Sequence, residues 1–256
     1  MIRDKDTIER FLRRNTYLHI YEIGDLDDFF WPYTTWFAAQ DGSEITELAL
    51  LYTGQPLPVL LALTENIERM GDFLSSIKRR LPDRFYAHLS PGLEKIFSDT
   101  HHLESHGDYL KMGVLDRCAV LDLDCSKAFQ LDVHHLDELN AFYDTCYPGN
   151  WFDPRMLETH QYFGLRKEGQ LVSVAGIHVF SADYKVAALG NIATSLEERG
   201  KGFGRAVTGA VCRSLLKHVE HIGLNVKKDN IAAIACYKRL GFDVTAPYGE
   251  FMVQKH

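Results

Sequence analysis

Cysteine is scarce in this chain: five in 256 residues, an odd number, with no Cys-x-x-Cys pair. That excludes a disulfide framework and a thiolate zinc cluster, and it fits a reducing compartment. No apolar run is long enough to span a bilayer. Basic residues do not dominate either. The 28 Lys and Arg stand against 35 Asp and Glu, a formal charge of −7, which argues against a general nucleic-acid binder. There is no Pro/Gly/Ser-rich linker, no low-complexity segment and no short repeat. Two phosphate signatures are missing: Gly-x-x-x-x-Gly-Lys-Ser/Thr, and Gly-x-Gly-x-x-Gly after a strand. The chain opens Met-Ile-Arg-Asp-Lys-Asp, charged from Arg3 to Asp6, and no signal-peptide core follows. These absences lead to the expectation of a soluble cytoplasmic protein with no metal, membrane or nucleic-acid partner.

What is present begins with a core: 46% of residues are hydrophobic, enough for one large domain or two small ones. From Leu189 to Gly204 the chain reads Leu-Gly-Asn-Ile-Ala-Thr-Ser-Leu-Glu-Glu-Arg-Gly-Lys-Gly-Phe-Gly. An apolar strand runs into a glycine-rich basic turn, and a helix follows. Such a turn lets successive N–H groups point into one concavity at the positive end of the helix dipole. The loop is an anion cradle. Its place late in the chain leaves no room for the further βα units of a dinucleotide-binding sheet.

After that helix, His221–Lys227 reads as a strand, followed by Asn230-Ile-Ala-Ala-Ile-Ala-Cys-Tyr237-Lys-Arg-Leu-Gly241-Phe242. Asn230 is placed as an N-cap or first-turn residue, and Ala233 and Tyr237 share a helical face with it. Here the sequence resembles the GCN5-related N-acetyltransferase (GNAT) superfamily. The family loop Gln/Arg-x-x-Gly-x-Gly/Ala matches Arg199, Gly202 and Gly204. The pattern Asn-x-x-Ala-x-x-x-Tyr-x-x-x-Gly-Phe matches Asn230, Ala233, Tyr237, Gly241 and Phe242. The resemblance covers the half from about Phe129 onward. Tyr147-Pro-Gly-Asn-Trp-Phe-Asp-Pro also resembles the FR47-like branch. The resemblance implies acetyl-coenzyme A, or another acyl-coenzyme A, as donor.

The expected fold class is α/β in the α+β mixed-sheet sense. A GNAT domain at 126–256 follows an N-terminal α/β domain at 1–125, which is either a degenerate GNAT-like copy or an unrelated layer. In the first half the pattern predicts helices at Asp4–Arg14, Tyr17–Ile23, Ile67–Arg80 and Leu93–Phe97. Strands are expected at Trp31–Ala39, Glu47–Tyr52, Val59–Leu63, Arg84–Leu89, Tyr109–Leu115 and Cys118–Leu123. The second half reads as a helix at Asp137–Cys146 and strands at Gln161–Arg166, Leu171–Phe180 and Lys185–Thr194. A helix at Gly204–Val219, a strand, the Asn230 helix and a closing strand near Phe251 follow.

Donor binding is expected at the loop Arg199, Gly200, Lys201, Gly202, Phe203 and Gly204, with charge from Lys201 and Arg205. By resemblance, Ile192, Ala193 and Thr194 offer a strand edge to the pantetheine arm, a form of β-augmentation. A bulge near Asn191 would splay this strand from the one after the helix and open a slot. Asn230 and Ala233 start the facing helix. Tyr237 is the candidate general acid for the departing thiolate. No general base is assigned. Asn191 cannot be one; His178 on the preceding strand is a candidate with a plain sheet-face histidine as its alternative; Glu250, His134, His135 and Asp153 are weaker. Trp151-Phe152 is the candidate acceptor pocket, and Trp31 and Trp36 are read as core. His101-His102 with His106 reads as a polar loop, Lys227-Lys228 as solvated, and Cys236 as core. The function expected is N-acetyl transfer from acetyl-coenzyme A to a small-molecule or protein amine by direct attack. The alternatives are a non-catalytic coenzyme A sensor or assembly module, and an acyltransferase using a longer acyl chain.

Overall fold

In the computed structural model, which describes residues 1–256, Asp4 starts the first helix by accepting from the Thr7 N–H at 3.3 Å. This helix, α1 (Lys5–Leu12), buries Ile8 and Leu12, four apart on one face. Then come α2 (Ile20–Gly24), β1 (Thr34–Asp41), β2 (Glu44–Tyr52), β3 (Val59–Ala62), α3 (Ile67–Ile77), β4 (Arg84–Leu89) and β5 (His101–Val114). The chain continues through α4 (Arg117–Leu121), β6 (Phe129–Leu131), α5 (Leu136–Cys146), β7 (Tyr162–Lys167), β8 (Gln170–Ser181) and β9 (Val186–Thr194). It ends with α6 (Phe203–Leu215), β10 (His221–Lys227), α7 (Ile231–Lys238) and β11 (Phe242–Lys255). No helix is long and apolar enough to cross a membrane.

Three expectations are corrected. The segment Cys118–Leu123 is not a strand. Asp116 caps it, accepting from the Cys118 and Ala119 N–H groups at 3.0 and 3.4 Å, and the chain turns into α4. His101, His102 and His106 do not form a loop but lie within β5. His101 is buried there against the rings of Phe85 and Phe97, at 6.2 and 5.6 Å. The strand expected from Trp31 starts at Thr34, because Trp31-Pro32-Tyr33 is a single 3₁₀ turn.

Contacts divide the chain into two units. The first is Met1–Lys111 with Val226–Asp229 and Val244–His256; the second is Met112–Asn225 with Asn230–Asp243. In the first unit β1, β2 and β3 form an antiparallel meander, and α3 crosses over to β4, which is parallel to β3. β11 pairs antiparallel with the other edge of β4. On one face α3 lays Met70, Phe73, Leu74 and Ile77 onto Phe85, Ala87, Leu89 and Val253 in a dry core. The alternate positions carry polar groups instead. Glu250 accepts from the Tyr86 and Tyr248 hydroxyls at 2.6 and 2.7 Å. The buried Lys111 ammonium lies 4.9 and 5.5 Å from the ring centres of Tyr21 and Tyr248 and has no hydrogen-bond partner. Burial holds its pKa below the ordinary lysine value. His19 and Glu22 meet at 3.2 Å. Burial, reinforced by the Glu22 charge, pushes the Asp25 carboxyl well up.

In the second unit β6, β7, β8 and β9 form an antiparallel meander. α6 crosses over to β10, which is parallel to β9. Its buried side includes Val207, Val211, Cys212 and Leu215. Both units thus use one order: antiparallel strands, a helix, a parallel strand. They differ at the parallel pair. In the first unit the whole of β3 is paired, from Val59 opposite Tyr86 to Ala62 opposite Leu89. In the second, pairing stops at Leu189 opposite Leu224 and leaves Gly190–Thr194 of β9 beyond it.

The buried Asp25 generates a stability prediction. Its folded pKa lies above its unfolded value, so the folded state binds the extra proton as pH rises. Stability is fully present below about pH 4, the unfolded value, and is lost as pH climbs through the folded pKa. Asp25→Asn mimics the protonated carboxyl. It is expected to match the parent at low pH and to melt several degrees higher at pH 8. An equal or lower melting temperature at pH 8 would contradict a protonated, buried Asp25.

Candidate active site

The splay between β9 and β10 has a local cause. Opposite β8, Gly176 faces Gly190 and Val174 faces Ala193, so β9 carries one extra residue at Asn191–Ile192. Asn191 takes a left-handed conformation, φ 54°, which asparagine tolerates better than most side chains. The expected bulge is there. Beyond it Ile192, Ala193 and Thr194 keep β8 as neighbour on one side and have no β10 partner on the other. Apart from the Asn191 and Thr194 carbonyls, which accept from Tyr143 and Arg199, the backbone groups on this side have no strand to pair with.

The glycine loop closes one end of this edge. Gly200 and Gly202 have φ of 77° and 86°, and open space surrounds the position a Cβ would take at each. Gly202 is the N-cap of α6, and the first helical bond runs from the Ala206 N–H to the Gly202 carbonyl. The amides of Phe203, Gly204 and Arg205 are therefore left unused by the helix. No acidic residue stands in the first turn. A Cβ on Gly204 would come 3.1 Å from Thr194 Oγ1, which sets the close approach of helix and strand. Two side chains of the loop, Arg199 and the Lys201 expected to supply charge, are engaged locally. Arg199 Nε donates to the Thr194 carbonyl at 3.1 Å. Lys201 pairs with Glu198 at 3.0 Å, and Lys167 pairs with the same carboxylate at 2.8 Å. Glu198, absent from the sequence expectations, thus ties β7 to the loop.

Asn230 caps α7, accepting from the Ala233 N–H at 3.1 Å. Tyr237, two turns on, is buried beside Phe242, with ring centres 5.9 Å apart. Burial pushes its phenol well above the ordinary value, with Cys236, Tyr147 and Cys212 adding to it. The hydroxyl therefore stays protonated through neutral and mildly alkaline pH. Cys236 is half-buried, and the charge of Arg205 reaches it. This places the start of α6 and the body of α7 near one another.

The last turn of α5 connects these parts. The Tyr143 hydroxyl donates to the Asn191 carbonyl at 2.7 Å; Tyr147 adds to the burial that raises the Tyr237 phenol, and the Arg199 charge opposes the burial that raises the Cys146 thiol. Tyr143, Phe152 and Tyr162 form a run of rings with centres 5.4 and 5.5 Å apart. Trp151 at its side is 48% exposed. The Asn191 side chain meets His178 Nε2 through Oδ1 at 3.3 Å and donates through Nδ2 to the Tyr162 hydroxyl at 2.9 Å. Tyr143 and Tyr162 had no motif to mark them; only alternation and a nearby bulge pointed to this face. Glu250, a weaker base candidate, belongs to the first unit, and His134 and His135 lie in the turn before α5. Asp153 is paired with Arg155. No group of three or more His, Cys, Asp or Glu side chains is arranged to hold a metal ion.

Comparison with known proteins places this geometry. Residues 129–242 match the family described as Acetyltransferase (GNAT) family. Among curated proteins there is no match. Among solved structures, a GNAT-family protein from Novosphingobium aromaticivorans has 17% identity over 93% of this chain and 96% of its own, with a TM-score of 0.60. A GNAT-family acetyltransferase from Colwellia psychrerythraea has 14% identity over 99% and 98%, with a TM-score of 0.58. A GCN5-related N-acetyltransferase from Kribbella flavida has 14% identity over 87% and 90%, with a TM-score of 0.59. The likeness is one of fold, and it extends to the first half, which the family match does not cover. Residues 129–242, somewhat under half of the chain, are thus similar to the acetyltransferase (GNAT) family, an acyltransferase family whose acyl donor is acetyl-coenzyme A.

Proposed function

We propose that this protein is an N-acetyltransferase, moving an acetyl group from acetyl-coenzyme A to a primary amine by direct attack in a ternary complex. The observation that carries the reading is the edge Gly190–Thr194, which has no β10 partner and is bounded at one end by the unused amides of α6. A diphosphate is met by those amides, where the helix dipole favours negative charge. Gly200 and Gly202 allow the close approach, and Arg205 adds charge. An extended amide-bearing arm pairs with Ile192, Ala193 and Thr194 as an added strand. The amide N–H groups at the Asn191 bulge are the candidates to polarise the thioester carbonyl. α7 contributes Asn230 and Ala233 at its start. Its Ile231 is 69% exposed, an apolar surface that a bound donor would cover.

Tyr237 supplies the proton for the departing thiolate. Its raised pKa keeps that proton in place until the sulfur develops charge. The acceptor amine enters over Tyr143, Tyr147, Trp151 and Phe152, whose rings suit a small molecule or a side-chain amine with apolar carbon next to the nitrogen.

Saturating acetyl-coenzyme A is expected to raise the melting temperature. In the presence of an amine panel, free thiol is expected to appear. Tyr237→Phe should keep the melting shift and lower kcat about a hundredfold, a usual scale for losing a general acid. An unchanged kcat would remove Tyr237 from the mechanism, and no melting shift with any coenzyme A thioester would overturn the whole reading. Gly202→Ala forces a Cβ into left-handed backbone, at about 1–2 kcal/mol. It should raise the KM for acetyl-coenzyme A about tenfold with kcat little changed; a KM unaffected by the change would exclude this loop from donor binding.

A further inference from the structure

A polar side chain stands at the point where β9 and β10 part. The last paired residues of the two strands are Leu189 and Leu224. The next residues are Gly190 on β9 and Asn225 on β10, and the Asn191 bulge begins one step later. Asn225 is half-buried, and its Oδ1 is shut off from solvent with no hydrogen-bond partner. A buried carbonyl oxygen left in this state is costly, and an apolar side chain of the same size would avoid the cost. The oxygen calls for a donor that the folded chain does not supply.

Strand geometry gives the face on which Asn225 lies. Residues side by side in a sheet share a face, and successive residues alternate. Leu189 and Leu224 are side by side and each is 2% exposed, so Gly190 and Asn225 belong to the opposite face. Gly190 is directly across from Gly176 on β8. Gly176, Gly190 and Asn225 therefore form a row across three strands. Rings lie on the two glycines: a Cβ on Gly176 would come 2.2 Å from the Tyr162 ring, and one on Gly190 would come 2.2 Å from the His178 ring. Tyr162 belongs to the run of rings with Phe152 and Tyr143, the surface over which the acceptor enters in the reading above. Asn225 thus carries its amide on the acceptor's face, starting about one strand spacing, 4.8 Å, from Gly190. It stands across the slot from the bulge whose amides are the candidates to hold the thioester carbonyl.

We propose that Asn225 Oδ1 binds the acceptor amine, taking a hydrogen bond from its N–H while the nitrogen lone pair faces the thioester carbon. The inference rests on the acetyl-transfer reading above and adds the contact that selects the acceptor. A carbonyl oxygen only accepts, so the nucleophile must donate to it. In the reaction the amine nitrogen attacks the thioester carbon; the C–N bond forms and the C–S bond breaks. One amine proton passes to water, the sulfur takes its proton from Tyr237, and Tyr237 regains one from solvent. A primary amine has a second N–H, which stays on Oδ1 into the product amide. A secondary amine or an alcohol has a single hydrogen and must surrender it. The contact therefore favours primary amines over both.

Two variants of nearly equal size test this in the full-length protein, with the amine of the panel that releases thiol fastest as probe. Asn225→Leu removes the accepting oxygen. It should raise the KM for the amine about tenfold with kcat little changed, the mark of a contact made before and during attack. The KM for acetyl-coenzyme A and the melting shift it causes should stay as in the parent. Asn225→Asp keeps an accepting oxygen and should keep the parent's KM for the amine. In kcat/KM, the parent's preference for the amine over its N-methyl derivative should shrink about tenfold in Asn225→Leu. An amine KM unmoved in Asn225→Leu would overturn the inference. So would an Asn225→Asp no better than Asn225→Leu, the result expected of an amide that presents its nitrogen instead. Either outcome, with thiol still released by the parent, leaves the acetyl-transfer reading in place. A parent that releases no thiol with any amine overturns both.

Discussion

Everything in the second unit turns on a missing set of hydrogen bonds. β9 and β10 are parallel neighbours up to Leu189 and Leu224, and then they part. Unpaired backbone inside a sheet is costly unless water or a partner satisfies it, so the parting has to be enforced. Asn191 enforces it. One extra residue in left-handed backbone bends β9 and increases its local twist. Its carbonyl, deprived of a ladder partner, is given the Tyr143 hydroxyl instead. Its side chain is held by Tyr162. The edge left over is the platform on which the glycine loop and α7 acquire a purpose.

The first unit shows what the same order of elements does without that bulge. β3 and β4 stay paired along the whole of β3, and the crossover before α3 carries Asn66 as an ordinary cap rather than a glycine loop. There is no slot and no row of spare amides. The chemistry of this unit is instead on the face opposite its dry core, where Lys111, Glu22, Asp25, Glu250 and several tyrosines are buried together. Buried charge of this kind seldom adds net stability over apolar packing. Its effect is to make the stability of the first unit sensitive to pH, as the raised Asp25 and lowered Lys111 both require.

Much of this was legible in the sequence, and the residues show why. Gly200, Gly202 and Gly204, with Asn230 and Tyr237, carry short-range geometry: positive φ, a cap, a helical face. Such geometry is written in residue type and spacing. The bulge was legible in part, since Asn191 sits in an otherwise apolar strand. What could not be read was contact between distant segments. Tyr143 and Tyr162 look like any amphipathic tyrosines until α5 and β7 bring them to Asn191. Arg199 and Lys201 look like free charge until Thr194 and Glu198 claim them. The segment after Asp116 is apolar enough for a strand, and only the cap decides for a helix. The return of β11 to the first unit has no local signal at all.

The Tyr237 phenol raises a question of proton affinity. A thiolate with an affinity like that of cysteine, about 8.5 in water, is a weaker base than a phenol at about 10. Burial raises the phenol further. Transfer from Tyr237 to a solvated thiolate would therefore run uphill. A leaving sulfur placed beside the same buried hydroxyl is desolvated too, which raises its own affinity for a proton. The two groups then approach each other in basicity, and a short hydrogen bond from the phenol stabilises sulfur charge as it forms. The proposed acid role of Tyr237 therefore requires that the donor's sulfur share its burial. The parting of β9 from β10 supplies the shared enclosure, because the edge that would pair the pantetheine arm leads from the unused amides of α6 towards the bulge.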